Sequence, residues 1–217
     1  MFNYEKRIKL KFKLLAAFYD LFDLVFLLDK KRNPRYALAD KIPDEALRIL
    51  DVCSGTANSS IVVAEANVRN KIICIDLSPH MIAVAHSKAR KRNIRNISIQ
   101  PMNAMDMSFR DGEFDIVTIS FGLHEMDYEM MLKVLRQMCR VLKDEGNLYI
   151  IDYDYEDGWC KKLLLSTHLK TFEPKHMAQF LKYDWADTLK DVGFQFISSE
   201  KYLFSKLIAA KKRSATS

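Results

Sequence analysis

Two acids and a run of small residues between them set the first chemistry open to this chain. Asp51-Val52-Cys53-Ser54-Gly55-Thr56-Ala57 follows an apolar stretch, and Asp76 closes the next one, Lys71-Ile72-Ile73-Cys74-Ile75. The pattern reads as strand, tight turn, helix, second strand and terminal acid. Such a βαβ unit holds an adenosine-type cofactor, because small residues let bare backbone approach the ligand and the acid accepts hydrogen bonds from ribose hydroxyls. A second group lies further on. His124 and Glu125 follow an apolar run, Phe114-Asp115-Ile116-Val117-Thr118-Ile119-Ser120, and Asp152, Tyr153 and Asp154 end another. In an open α/β sheet the carboxyl ends of the strands bind ligands. Histidine titrates near neutrality and is suited to take a proton there. Its alternative role is to shape the loop or to position a substrate.

The elements that must carry these residues follow from periodicity. Strands are predicted at residues 48–52, 72–75, 97–100, 114–120, 147–153, 194–199 and 202–209. Helices are predicted at residues 34–41, 59–67, 79–91, 128–142, 159–170 and 176–192, with a further helix between the third and fourth strands. Ser78-Pro79 is a start signal, a capping hydroxyl followed by proline at the first helical position. Asn58 or Ser59 is expected near the cap of the helix after the small-residue turn. Residues 1–30 place Ile8, Phe12, Leu15, Tyr19, Phe22 and Phe26 at helical spacing, with lysines on the other face. Strands alternating with helices predict an α/β fold: a doubly wound, mostly parallel, Rossmann-like sheet of seven strands with an antiparallel hairpin at one edge. Residues 1–42 are expected to form a helical cap or lid, and residues 43–217 the cofactor-binding domain.

Composition limits the partners. Of 217 residues, 49% are apolar, enough for one sizeable core, and the net charge of +6 is concentrated near the two ends. A solvated basic surface explains that excess, and nucleic acid is not expected as a partner. Cys53, Cys74, Cys139 and Cys160 form no Cys-x-x-Cys pair, and His80, His86, His168 and His176 have no partners at ligand spacing, so no metal is expected. Residues 14–28 are apolar but contain Asp20 and Asp23, too short a run to span a bilayer. The expected location is the cytoplasm. Peripheral membrane contact through the N-terminal helix is the alternative, and the oligomeric state is open.

The ordered blocks resemble the class I S-adenosylmethionine-dependent methyltransferases over roughly residues 45–210. Ile49-Leu50-Asp51-Val52-Cys53-Ser54-Gly55-Thr56-Ala57 is similar to that family's first motif, an acid-x-Gly-x-Gly-x-Gly turn against the methionine portion of the cofactor. Ile73-Cys74-Ile75-Asp76-Leu77-Ser78-Pro79-His80-Met81 is similar to the second, whose acid binds the ribose. Asn103-Ala104-Met105-Asp106 stands where the family has an acidic turn against adenine. The blocks at 114–120 and 141–148 resemble the fourth strand and the approach to the fifth. The resemblance implies S-adenosyl-L-methionine as cofactor, held by Asp51, Cys53, Gly55, Ala57, Asp76, Leu77, Met81, Asn103, Ala104, Met105 and Phe121. It also implies His124 facing the reactive methyl, Asp152 lining the substrate side and Tyr19 closing over the cofactor.

The chain departs from the pattern at several positions. Cys53 and Ala57 replace two glycines, which is tolerable for Cys53 if its φ stays negative. Asn103 replaces an acid. In size and in Phe18-Tyr19-Asp20 the chain looks like the quinone-biosynthesis C-methyltransferases, yet His124-Glu125 stands where those have Arg-Asn. That difference argues against assigning a quinone. Methyl transfer to a small molecule is therefore expected, by in-line displacement that rests on proximity and exclusion of water. The alternatives are a membrane-associated quinone or lipid methyltransferase and a cofactor-binding module without turnover. An NAD dehydrogenase is disfavoured, because only Gly55 remains of the three glycines its fingerprint needs.

Overall fold

The structure, a computed structural model, describes residues 32–154, 177–202 and 204–214. The N-terminal helix, with Tyr19, and the helix expected at residues 159–170 lie outside the described residues. The seven described strands make a mixed, mostly parallel sheet with antiparallel edge strands, the Rossmann-like arrangement expected. The chain divides into two compact units, Met1–Met107 and Ser108–Ser217.

In the first unit, β1 (Arg48–Val52), β2 (Lys71–Asp76) and β3 (Ile97–Pro101) lie in the order β3-β2-β1, all parallel. Ile49, Leu50, Val52, Ile72, Cys74 and Ile75 are buried, as strands covered on both faces require. Each such aliphatic side chain contributes about 1.5–3 kcal/mol on burial. Helix α1 (Pro34–Lys41) begins at Asn33, whose side chain accepts from Arg35 N. Helix α3 (Pro79–Lys91) begins at Ser78, whose hydroxyl accepts from Met81 N, with Pro79 in the first turn. Both match expectation.

Helix α2 (Asn58–Ala66) differs. Its cap is Ala57, left-handed at φ 61°, and no side chain caps it. The side chains expected near the cap are engaged elsewhere: Lys88 Nζ on α3 donates to Asn58 Oδ1 at 2.8 Å, and Arg35 Nε donates to Ser59 Oγ at 3.3 Å. Residues 102–113 hold turns and bends, so the helix expected between the third and fourth strands is not formed.

In the second unit the order is β4-β5-β7-β6, for β4 (Phe114–Ser120), β5 (Leu142–Tyr153), β6 (Phe194–Tyr202) and β7 (Ser205–Lys212). β4 and β5 are parallel, and β7 runs antiparallel to both β5 and β6. Helix α4 (Tyr128–Val141) is capped by the Asp127 side chain and buries Met131, Val134, Leu135 and Met138. β5 starts five residues earlier than expected, through an irregular stretch where the register with β4 shifts. Gly146 is required in that stretch, since a Cβ there would lie 2.8 Å from both Leu142 Cγ and Lys143 O. The helix expected at residues 176–192 is two helices, α5 (Met177–Phe180) and α6 (Trp185–Asp191). Asp184 divides them by accepting from Ala186 N and Asp187 N, which begins a new helix. Tyr202, expected in the last strand, ends β6.

Candidate active site

In the first unit the turn after β1 is left-handed at alternate residues: Cys53 at φ 52°, Gly55 at 54° and Ala57 at 61°. The negative φ expected for Cys53 is therefore not observed. A left-handed non-glycine residue costs roughly 1–2 kcal/mol, so the turn is held against strain by its surroundings. Part of the hold comes from Asp76 at the end of β2. Its two carboxylate oxygens accept from Gly55 N and from Ser78 N, each at 2.8 Å. Burial raises the Asp76 pKa above its ordinary 3.8, against the opposing pull of the backbone N–H groups of Ser78, Gly55 and Leu77. Behind the turn Asp51 is fully buried and accepts a short hydrogen bond from Ser60 Oγ on α2. Cys74 Sγ donates to the same hydroxyl at 3.0 Å. Burial pushes the Cys53 and Cys74 thiols far up, helped by Asp76 and Asp51 for Cys53 and by Asp51 for Cys74, so neither is a nucleophile at neutral pH.

An ideal Cβ on Gly55 meets no atom of the described residues within 4 Å. A backbone turn of small residues and an acid at the next strand end are the features an adenosyl cofactor needs. In the same unit, Leu77 is half-buried and Met81 buried. Asn103 Oδ1 accepts from Met105 N at 3.0 Å, closing a local turn that presents Asn103 and Met105 half-buried around buried Ala104.

In the second unit the residues after β4 and at the end of β5 form a buried polar pair. His124 Nδ1 lies 2.7 Å from Asp152 Oδ1, and both side chains are 0% exposed. Asp152 Oδ2 accepts from Leu123 N at 3.1 Å and from His124 N at 3.4 Å, and Oδ1 also accepts from Tyr153 N at 2.9 Å. The carboxylate is thus fixed by backbone and orients the imidazole, with the ring proton on Nδ1 and the lone pair on Nε2. Nε2 lies 3.8 Å from Glu125 Oε1. The rings of Tyr153 at 4.8 Å and Phe180 at 6.2 Å pack edge-on to the imidazole, and Phe121 packs on Tyr153 at 5.4 Å. Phe121 is left-handed at φ 53°, and its N–H donates to Ile151 O.

Sequence reasoning singled out His124, Asp152 and Phe121 one by one, and the structure brings all three together. Glu125 was noted only as a departure, and the parts of Ser60 and Phe180 were missed. Ser60 lies nine residues from Asp51, on the helix beyond the turn, and no local spacing rule links the two. Phe180 carries no local signal. Among the described residues no group of His, Cys, Asp and Glu side chains is arranged to hold a metal ion. No helix among them is long and apolar enough to cross a membrane.

The chain is similar to known proteins over most of its length. The family model of the ubiE/COQ5 methyltransferase family matches residues 1–178. The chain is 33% identical over 171 residues to a demethylmenaquinone methyltransferase of Listeria welshimeri, covering 69% of this chain and 70% of that one. It is 28% identical over 201 residues to the demethylmenaquinone methyltransferase of Alkalihalophilus pseudofirmus, covering 91% and 84%. A SAM-dependent methyltransferase from Aquifex aeolicus shares the fold, with a TM-score of 0.66 at 20% identity over 84% of this chain and 91% of that one.

Proposed function

The chain belongs to the ubiE/COQ5 methyltransferase family and is an S-adenosylmethionine-dependent enzyme acting on a small molecule, and from that premise we propose that its acceptor is a hydroxylated, planar ring of the quinol type. The observation that carries this reading is the buried His124–Asp152 pair beside Tyr153, Phe121 and Phe180. Aromatic walls suit a flat ring, and a fixed imidazole suits a ring hydroxyl that must lose its proton to become a strong nucleophile. The relatives named above act, by their names, on demethylmenaquinone. His124-Glu125 stands where the resemblance would place Arg-Asn, which favours the broader class of hydroxylated rings over that one quinol.

The cofactor supplies an electrophilic methyl group when bound. The chain's own residues do the rest. The Gly55 turn, with Asp51, Cys53 and Ala57 shaping it, offers backbone to the methionine portion. Asp76 accepts from the ribose hydroxyls, Leu77 and Met81 pack beside them, and Asn103, Ala104 and Met105 border the adenine. Phe121 packs on Tyr153 at the acceptor side. His124 Nε2 takes the acceptor's hydroxyl proton, and Asp152, a positioning residue, fixes the tautomer that makes this possible. A general base contributes about 10²–10⁴-fold. The test is methyl transfer to 1,4-naphthoquinol by the wild type and by His124→Gln. Product formation that falls about 10²-fold or more in the variant supports the reading. Full activity of His124→Gln removes the base, and no turnover of any hydroxylated ring by cofactor-binding protein removes the acceptor class.

A further inference from the structure

A base that is 0% exposed has a proton-disposal problem, because it cannot hand its proton to bulk water directly. Each methyl moved from a sulfonium to a neutral hydroxylated ring releases one proton overall. If His124 takes that proton, it must lose it again before the next turnover. The described groups that face the imidazole offer the proton unequal routes. Asp152 is 0% exposed and holds Nδ1, so it leads nowhere. Tyr153 and Phe180 present ring edges. Glu125, the next residue in the chain, is 16% exposed at its side chain and places Oε1 3.8 Å from Nε2. It alone of these neighbours is a carboxylate that reaches both the working nitrogen and solvent.

We propose that Glu125 is the proton outlet of the site: it relays the proton from His124 Nε2 to water after each methyl transfer. This rests on the reading of His124 as the base. The acceptor's O–H bond breaks and its electron pair stays on oxygen, while the proton joins Nε2 and the ring becomes an imidazolium. The proton then moves to Glu125 Oε1, restoring neutral His124, and the carboxylic acid so formed ionises into water. Every group returns to its starting charge. The 3.8 Å separation is about 1 Å beyond a direct hydrogen bond. A small rotation of the partly exposed glutamate or one bridging water closes it. The imidazole faces Asp152 at Nδ1 and Glu125 at Nε2, and of these two carboxylates Glu125 is the one with exposed surface. The short tether is built in by the single turn of 3₁₀ helix, Leu123–Glu125, that carries both residues.

The test uses the full-length enzyme, S-adenosylmethionine and 1,4-naphthoquinol, comparing Glu125→Gln with wild type and with His124→Gln. The expected result for Glu125→Gln is an unchanged KM, with kcat lowered on the order of tenfold to a hundredfold, within the range for lost proton-transfer assistance. The lost rate should return as small buffers such as imidazole or formate are raised, because a mobile acid–base can replace a relay. A glutamate that only shapes the loop gives no such rescue. His124→Gln should lose activity and gain nothing from formate. Unchanged kcat in Glu125→Gln, or a loss that buffer does not restore, overturns the outlet even when His124→Gln is inactive. Full activity of His124→Gln overturns the base reading instead, so the two failures are separable.

Discussion

Gly55→Ala separates two quantities that are usually confounded, turn strain and ligand approach. Gly55 sits at φ 54°, where an L side chain is strained by roughly 1–2 kcal/mol. The added Cβ meets no atom of the described residues within 4 Å, so among them the substitution adds strain and no clash. Cys53 and Ala57 already adopt the same left-handed conformation, which shows that the turn forms without glycine. A protein of this length loses about 2–4 °C of Tm per kcal/mol, so the expected drop is about 2–8 °C, with folding retained. Strain of this kind is present with and without ligand and cancels in the binding free energy. Any loss of affinity therefore reports contact between the new methyl and the ligand. A cofactor whose methionine portion lies against the turn should meet the Cβ, and a penalty of 1.4 kcal/mol or more weakens Kd at least about tenfold. Differential scanning calorimetry and titration with S-adenosylhomocysteine read the two effects apart. A lower Tm with unchanged Kd would refute the placement of the cofactor over Gly55.

Two further outcomes follow from the same turn. Asp76 has a raised pKa, so its ionised form, the one that accepts two ribose hydroxyls, is lost as pH falls through a value above 3.8. Cofactor affinity should fall as the pH is lowered toward that raised value. The sign for the ligand-free fold is opposite: a carboxyl with a raised folded pKa adds stability below its unfolded pKa and loses that contribution as pH rises. Asp76→Asn should bind weakly with no such pH dependence, and calorimetric titrations that show the same slope in both proteins would place the titrating group elsewhere. Ala57→Gly at an ordinary buried helical site costs about 1 kcal/mol. Relief of left-handed strain offsets that here, so its urea midpoint should stay near the wild-type value, and a loss above about 1.5 kcal/mol would show that Ala57 is unstrained.

Much of the frame was legible because it follows from local rules. Buried parallel strands are continuous apolar runs, and Ser78-Pro79 and Asp127 mark helix starts by side-chain chemistry that acts within three residues. Legibility failed where distant groups override local preference. Asn58 is a good capping residue, but a lysine thirty positions away occupies its side chain. Cys53 has no intrinsic reason to be left-handed and is driven there by the turn that Asp76 ties down. β5 begins early because its first residues continue straight from α4 through the bulge that Gly146 permits.

The His124–Asp152 pair shows the same limit at the site itself. Both residues were visible as strand-end groups, yet their partnership depends on register. Ser120 pairs with Ile151 in the parallel ladder, and Phe121 N–H extends that ladder by donating to Ile151 O. The loop leaving β4 is thereby carried over the next residue of β5, which is Asp152. On its other edge β5 is pinned to β7, where Asp152 pairs with Lys206. The carboxylate thus stands where two ladders put it, and Leu123 N and His124 N bind to it through backbone, whatever side chain position 124 bears. Only the Nδ1 bond depends on histidine. The frame can therefore present different side chains at positions 124 and 125 to the same carboxylate. A change at positions 124 and 125 would leave Asp152 and its backbone hydrogen bonds in place.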